Sequence, residues 1–283
     1  MKNNTKIGIV GMGYVGSAIL NGFNDFFKVN TFDIKKPSTF NSLDELVEIS
    51  DVLFICLPTP MNKNGECDLT IIDSVLTEIN SVARNQIIII KSTCSPGSCS
   101  IFQKKFSNLK IVFNPEFLRE KHINEDFMNQ KFIILGGNKD YTNKVKDLYL
   151  NIFPDVKYFL SDYSTAEMAK YTINNFLALK VSFANEIYDI CNAKNIDYDK
   201  MINLVVQDNR IGNSHLSVPG EDGKRGYGGS CFPKDVSALY YETQNLNIVS
   251  YIIKASYDRN RDIDRPERDW ENLVGRAVSD NVS

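Results

Sequence analysis

Lys6-Ile7-Gly8-Ile9-Val10-Gly11-Met12-Gly13-Tyr14-Val15-Gly16 is the stretch on which the fold turns. An apolar run ends in G-x-G-x-x-G, a helical pattern opens at Ser17, and the next β-rich run, 29–32, ends at Asp33, 22 positions after Gly11. Strand, glycine turn, helix, strand and acid is the setting in which this motif holds a dinucleotide. Gly11 permits the tight turn, Gly13 lets the backbone approach a pyrophosphate, and Gly16 lets the helix pack close to the strand. Met12, Tyr14 and Val15 complete the turn, and the helix N-terminus faces the phosphates. Asp33 accepts hydrogen bonds from the adenosine ribose and repels a 2′-phosphate, which favours NAD. Lys35 and Lys36 keep NADP open.

The same alternation continues outward. Short β-rich runs at 51–57, 87–90, 111–113, 132–135 and 156–160 alternate with helical patterns at 17–27, 43–49, 71–83 and 141–152. Such alternation predicts a parallel sheet with helices on both faces. Residues 164–194 contain no Pro or Gly and carry apolar residues at three- and four-residue steps, so one long helix is expected there. Shorter helices are expected at 199–206, 235–246 and 248–261, with a glycine-rich loop at 212–229. The last 27 residues carry twelve charges and read as a solvated helix end and tail. The division expected is 1–160 for a dinucleotide-binding domain, 161–262 for a helical domain and 263–283 for a polar tail.

Composition narrows the function. A chain of 283 residues is long enough for about two domains. With 32 basic and 35 acidic residues it has no overall pull toward nucleic acid or an anionic membrane, so neither is expected as a partner. No apolar run approaches the ~20 residues that span a bilayer. Met1-Lys2 precedes an apolar stretch, but four glycines between positions 8 and 16 break it, so no signal peptide is expected. The six cysteines match no zinc spacing, no metal is expected, and reduced thiols in the cytoplasm are the expectation. With only two histidines, His122 and His215, a mechanism built on histidine is disfavoured.

Two other places hold candidate chemistry. Lys170 and Asn174 lie four apart on the long helix and so share a face, and by spacing alone that face is better read as a solvated one. Cys231 follows Gly228-Gly229-Ser230 and precedes Phe232-Pro233-Lys234-Asp235. It stands at or just before a helix start, where the helix dipole and Lys234 favour a thiolate. A buried, inert cysteine is the competing reading.

At these residues the sequence resembles the UDP-glucose/GDP-mannose dehydrogenase family, from about Lys6 to Arg261. The motifs are Gly-Met-Gly-Tyr-Val-Gly at 11–16, Leu-Pro-Thr-Pro at 57–60, Lys-Ser-Thr at 91–93 and Asn-Pro-Glu-Phe-Leu-Arg-Glu at 114–120. They continue with Ala-Glu-Met-Ala-Lys at 166–170, Asn-Phe-Leu-Ala at 175–178, Asn-Arg-Ile-Gly at 209–212 and Gly-Gly-Ser-Cys-Phe-Pro-Lys-Asp at 228–235. The form after the cysteine resembles the UDP-glucose and GDP-mannose branches, and Asn-Phe-Leu-Ala-Leu-Lys at 175–180 favours UDP-glucose. The resemblance implies an α/β fold, a Rossmann-type parallel sheet followed by an all-helical dimerisation domain.

It also implies a four-electron oxidation of a sugar C6 alcohol to a carboxylate with two NAD molecules in turn, UDP-glucose giving UDP-glucuronate. Cys231 matches the nucleophile that forms a thiohemiacetal and then a thioester. Lys170 matches the lysine that stabilises the developing oxyanion or moves the first proton, with Asn174 as supporting donor. Asp235 matches an aspartate that steers water or Lys170, Glu116 an acid–base group in thioester hydrolysis, and Thr93 an anchor for water, near the cofactor as well. Leu57, Pro58 and Thr59, in the turn from Cys56 to Pro60, line the cofactor with Glu120 and Lys234. Phe117, Leu118, Arg119, Glu120, Tyr227 and Gly228 join Glu116, Lys170 and Asn174 around the substrate, and Arg210 reaches the substrate of a neighbouring subunit in a homodimer.

One departure stands against this. Relatives of full length carry a third domain, a second α/β unit that closes over the nucleotide, and residues 261–283 cannot build one. A separate chain supplying that nucleotide-binding domain, a compact form and a fragment are the three explanations. The departure also motivates a competing function, a non-catalytic NAD-binding partner subunit, although such a module has no need of all six catalytic matches. A two-electron hydroxy-acid dehydrogenase is the other competitor, and its chemistry has no use for Cys231.

Overall fold

The computed structural model describes residues 4–280. The chain forms two compact units: one holds the residues up to Thr59 and Leu69–Lys170, the other Pro60–Asp68 and the residues from Tyr171 onward.

The first unit is built on one seven-stranded sheet. Its strands are β1 (Lys6–Val10), β2 (Lys28–Phe32), β3 (Val52–Ile55), β4 (Ile87–Ile90), β5 (Lys110–Phe113), β6 (Phe132–Gly137) and β7 (Lys157–Ser161), in the order β2-β1-β3-β4-β5-β6-β7. Alternate side chains feed two cores. Leu53, Ile55, Ile88, Ile90, Ile111 and Phe113 pack on one face against α2 (Leu43–Ile49), α3 (Thr70–Val82) and α4 (Ser98–Lys105). Ile7, Ile9, Phe54, Ile89 and Val112 pack on the other against α1 (Tyr14–Phe23), α5 (Ile123–Met128) and α6 (Lys139–Leu150). Burial on both faces is why these strands are nearly continuous apolar runs.

The expected all-parallel sheet needs one correction. β5 and β6 pair antiparallel, through Val112 with Gly137 and Phe113 with Gly136 only. The link between them carries only a 3-10 turn and the six-residue α5, which packs on α1 instead of crossing the sheet. The chain therefore re-enters beyond the end of β5, and β6 runs down beside residues 114–117: Asn114 Nδ2 donates to Ile134 O at 2.8 Å. The expected helix at Ser17 begins at Tyr14, which makes Gly16 a helical residue. α4 was not among the expected helices; Gly97, at φ 95°, is its N-cap.

β1 has β2 on one side and β3 on the other, so the chain reverses its direction of travel across the sheet at β1. In open α/β sheets ligands bind beyond the carboxyl ends of the strands at such a switch point. The loops after β1, β2, β3, β4 and β5 all leave from that edge, and they carry the motifs at 11–16, 33, 57–60, 91–93 and 114–120.

α7 (Tyr163–Ala193) is a single 31-residue helix whose last turns lie in the second unit. That unit also holds α8 (Tyr198–Val205), α9 (Cys231–Asn245) and α10 (Tyr251–Arg259). Ala184, Cys191, Tyr198, Leu216 and Val218 form one core, and Ala178, Tyr227 and Val236 another. The solvated tail expected after Tyr257 is not what forms. Trp270 and Ala277 are buried against Met61, Val278 forms a bridge with Met61, and Ser279 Oγ donates to Asp68. The charges pair with one another and with the 212–229 loop, Arg259 with Asp264 and Arg265 with Asp269 and Asp222, and this lets a charge-rich segment pack. Residues 281–283 of that expected tail lie outside the described residues.

Candidate functional site

In the first unit the glycine loop fits a pyrophosphate. Gly11 has φ 94°, and a Cβ there would sit 2.5 Å from Cys56 O. A Cβ on Gly16 would sit 2.0 Å from Gly11 O, so helix and loop touch through backbone alone. Gly13 is the N-cap of α1, no side chain caps it, and a Cβ there would meet nothing within 4 Å. Bare backbone at a helix N-terminus is the cradle a dinucleotide pyrophosphate occupies. Asp33 closes the loop: Oδ2 accepts from Met12 N at 2.6 Å, and Oδ1 accepts from Lys35 N and Lys36 N at 2.7 and 2.8 Å. Partial burial works to raise its pKa, but these three donors and the Lys36 ammonium outweigh it and hold the carboxyl below the usual range. Lys36 Nζ also donates to Met12 O at 2.8 Å.

Beyond β3, β4 and β5 a charged cluster forms. Leu57 N donates to Ser92 Oγ at 2.9 Å, which ties the Leu57-Pro58-Thr59 turn to the Lys91-Ser92-Thr93 turn; Thr59 and Thr93 are buried and Pro58 is exposed. Lys170, at 3% exposure, places its Nζ on Glu116 O, 3.4 Å from Glu116 Oε1 and 5.0 Å from the centre of the Phe117 ring. Glu116 Oε2 accepts from Leu118 N at 2.7 Å. Arg119 is held by Asp126 at 2.7 Å, and Glu120 opens the short turn Glu120–His122. Glu167, fully buried on α7, accepts from Gly97 N and Cys99 N at 2.6 and 2.8 Å, and so caps α4 from the same helix turn that presents Lys170.

The second unit holds the other group. Cys231 is the first residue of α9 and half-buried, with Ser230 Oγ 3.9 Å from its Sγ. Asp235, one turn on and 1% exposed, accepts from Asn174 Nδ2 at 2.6 Å and from Lys234 Nζ at 2.5 Å. Burial alone would pull Lys234 down; the Asp235 carboxylate, with the Cys67 and Cys231 thiols in range, outweighs it and raises the pKa. Tyr227 is buried with its hydroxyl on Ser256 O at 3.2 Å, and Gly228 lies under the Arg265 guanidinium, where a Cβ would fall 2.4 Å from Cζ. Arg210 is exposed and paired with Asp208 at 2.5 Å.

Lys170 and Asn174 are thus both buried, and the solvated-face reading of their spacing fails. The sequence reading passed over Lys91 and Asn114 as site residues. Lys91 Nζ donates to Asn114 Oδ1 at 3.1 Å, and both are buried beside the Lys170–Glu116 pair. Each opens a motif quoted above, at 91–93 and 114–120, but their pairing follows from the register of β4 with β5, Ile90 with Phe113.

Comparison with known proteins now decides the family. The model of the UDP-glucose/GDP-mannose dehydrogenase family's NAD-binding domain matches residues 30–153, and that of its central domain residues 164–262. The chain belongs to the UDP-glucose/GDP-mannose dehydrogenase family. The first of these two models is that of an NAD-binding domain, and the glycine loop lies just before its matched span. A UDP-glucose 6-dehydrogenase of Rickettsia felis is 32% identical over 228 residues, covering 78% of this chain and 50% of that protein. A GDP-mannose 6-dehydrogenase of Pseudomonas savastanoi pv. phaseolicola is 33% identical, covering 75% and 50%. The solved UDP-glucose dehydrogenase of Pyrobaculum islandicum superposes with a TM-score of 0.82 at 26% identity, covering 92% of this chain and 68% of that one. The chain thus spans about half the length of the curated relatives it matches.

Proposed function

We propose that this chain catalyses the NAD-dependent oxidation of the C6 alcohol of a nucleotide sugar to a carboxylate, with UDP-glucose as the substrate and UDP-glucuronate as the product. The observation that carries this is Cys231 at the first position of α9, within electrostatic range of Lys234 and one turn before the buried Asp235. A dehydrogenase that stops at an aldehyde or ketone needs no such thiol.

Each residue then has a task. The glycine loop and Asp33 hold NAD, which supplies the hydride acceptor when bound. Lys170 takes the proton of the C6 hydroxyl, or steadies its oxygen as charge develops, and Asn174 assists as a donor. Cys231 Sγ bonds to the aldehyde carbon, and its proton is passed on as the carbonyl oxygen becomes the hydroxyl of a thiohemiacetal. The second oxidation turns that into a thioester. Water, directed by Asp235 and Thr93 and deprotonated with the help of Glu116, breaks the C–S bond and returns the thiol. A reducing compartment such as the cytoplasm suits the six free thiols.

The same reading includes a homodimer. Phe176, Phe183 and Ile190 recur at seven-residue steps along α7 and are 61%, 61% and 50% exposed, whereas the buried residues of this helix include Asn174, Ser182 and Asn185. A second copy is the partner that an apolar stripe on a long helix suits. Arg210 then meets the substrate held by the neighbour.

The test is the yield of NADH per UDP-glucose consumed, with GDP-mannose as the parallel substrate. Two NADH per sugar with no free aldehyde is expected, and Cys231→Ser is expected to stall at the second oxidation or at ester hydrolysis. One NADH per sugar overturns the four-electron reading, and turnover of GDP-mannose alone moves the substrate to the other branch.

A further inference from the structure

The reading above leaves one buried ammonium without a task. Lys91 follows β4 directly, and its neighbour in register, Asn114, follows β5. Lys91 N donates to Ile55 O at 2.9 Å and Asn114 N to Ile90 O at 2.8 Å, so both backbones are fixed by the sheet. Lys91 is 6% exposed, and Asn114 Oδ1, which also accepts from the Tyr149 hydroxyl at 2.6 Å, takes its Nζ at 3.1 Å. Among the described residues no carboxylate lies within ion-pair distance of Lys91. The nearby carboxylate, that of Glu116, is paired with Lys170. Two lysines therefore share the field of one glutamate in a place from which water is largely removed.

We propose that Lys91 is a positioning residue of this dehydrogenase site, an amine without a carboxylate of its own whose gain or loss of a proton sets the field on the Lys170–Glu116 pair. The proposal rests on the function proposed above for its catalytic consequence, though not for its electrostatics. The groups that face Lys91 are the Cys56 thiol after β3, Glu116 after β5, Tyr149 of α6 through Asn114, and Lys170 of α7. Burial pulls Lys91 down to about 8; Glu116 pulls it back up, and Lys170 pushes it further down. Cys56, pushed up to about 12 chiefly by burial, and Tyr149, raised by the same cause, stay neutral in this range. Lys91 is then the group near the pair whose charge changes around pH 8. Charged, it offsets Glu116; neutral, it leaves Lys170 as the only cation at that carboxylate.

The test starts with the full chain labelled with ¹³C at the lysine Cε and titrated by NMR, with Lys91→Arg and Lys91→Met to assign the signal. One lysine should titrate near pH 8, well below the others, and vanish in both variants. Lys170→Met should move it upward, because a like charge is removed, and Glu116→Gln should move it downward, because a counter-charge is removed. A Lys91 that titrates with the surface lysines, or that ignores both neighbours, overturns the proposal whatever the enzyme does. The second measurement is the pH dependence of NADH formation. Lys91→Met should lower kcat about tenfold near pH 7, the order of effect of removing one nearby buried charge, with KM changed little. It should also remove the inflection near pH 8, and Lys91→Arg should hold the low-pH behaviour to higher pH. A uniform loss at all pH values marks Lys91 as structural and overturns its role in the reaction. A correct titration in a chain that oxidises no nucleotide sugar leaves the electrostatics standing and refutes the function instead.

Discussion

Asp33 does two jobs at once, and they can be separated. Its charge opposes a 2′-phosphate, while its oxygens tie down the N–H groups of Met12, Lys35 and Lys36. NAD should therefore be preferred over NADP by about tenfold or more in kcat/KM. Asp33→Asn keeps an acceptor and removes the charge, so it should narrow that gap mainly by improving NADP. Asp33→Ala also frees the glycine loop and should weaken both cofactors. Steady-state kinetics with each cofactor check this, and equal kcat/KM for NAD and NADP in the unaltered chain would contradict the charge argument. Asp33 and the glycines were legible in the sequence because a local motif fixes them within one strand–helix–strand unit. Lys91 and Asn114 were not, because only the register of β4 with β5 brings them together.

Elements show the same division between local and distant information. The strands could be read from their apolar runs, most plainly β1, β3, β4 and β5, since strands buried on both faces leave little room for polar residues. The direction of β6 could not, because it depends on where α5 packs and not on the sequence of β6. α7 was legible as a helix from its length and lack of Gly and Pro, but not in its orientation: the buried residues include Glu167, Lys170 and Asn174, whose place inside comes from the partners they meet. The contact between α1 and the glycine loop offers a test at this scale. A methyl at Gly16 would fall 2.0 Å from Gly11 O, where only backbone movement can relieve it. Gly16→Ala should cost about 2 to 4 kcal/mol, seen as a lower midpoint in thermal or urea unfolding, and should weaken NAD binding by more than its effect on stability explains. Gly13→Ala, where a Cβ meets nothing, should leave stability nearly unchanged and impair NAD alone. A Gly16→Ala protein as stable as its parent would show that helix and loop do not depend on this approach.

For the molecule as a whole, the exposed Phe176, Phe183 and Ile190 and the exposed Arg210 lead to one experiment on assembly. If the α7 stripe is covered by a second copy and Arg210 serves the neighbour's substrate, an active unit needs Cys231 from one chain and Arg210 from the other. Arg210→Ala and Cys231→Ser proteins should each be nearly inactive. After subunit exchange, a mixed dimer has one protomer with an intact thiol beside a partner with an intact arginine. Random pairing makes about half of the dimers mixed, with one working site in two, so activity should recover to about a quarter of the unaltered value per chain. Phe183→Glu should block that recovery by placing a charge in the apolar contact, and sedimentation should then find monomers. Recovery is specific to a shared site, because two chains that each needed only their own residues would stay inactive on mixing. A monomer in the unaltered protein, or no recovery once exchange is proven by mass-tagged subunits, would confine Arg210 to its pair with Asp208 and leave the stripe on α7 without a second copy to cover it.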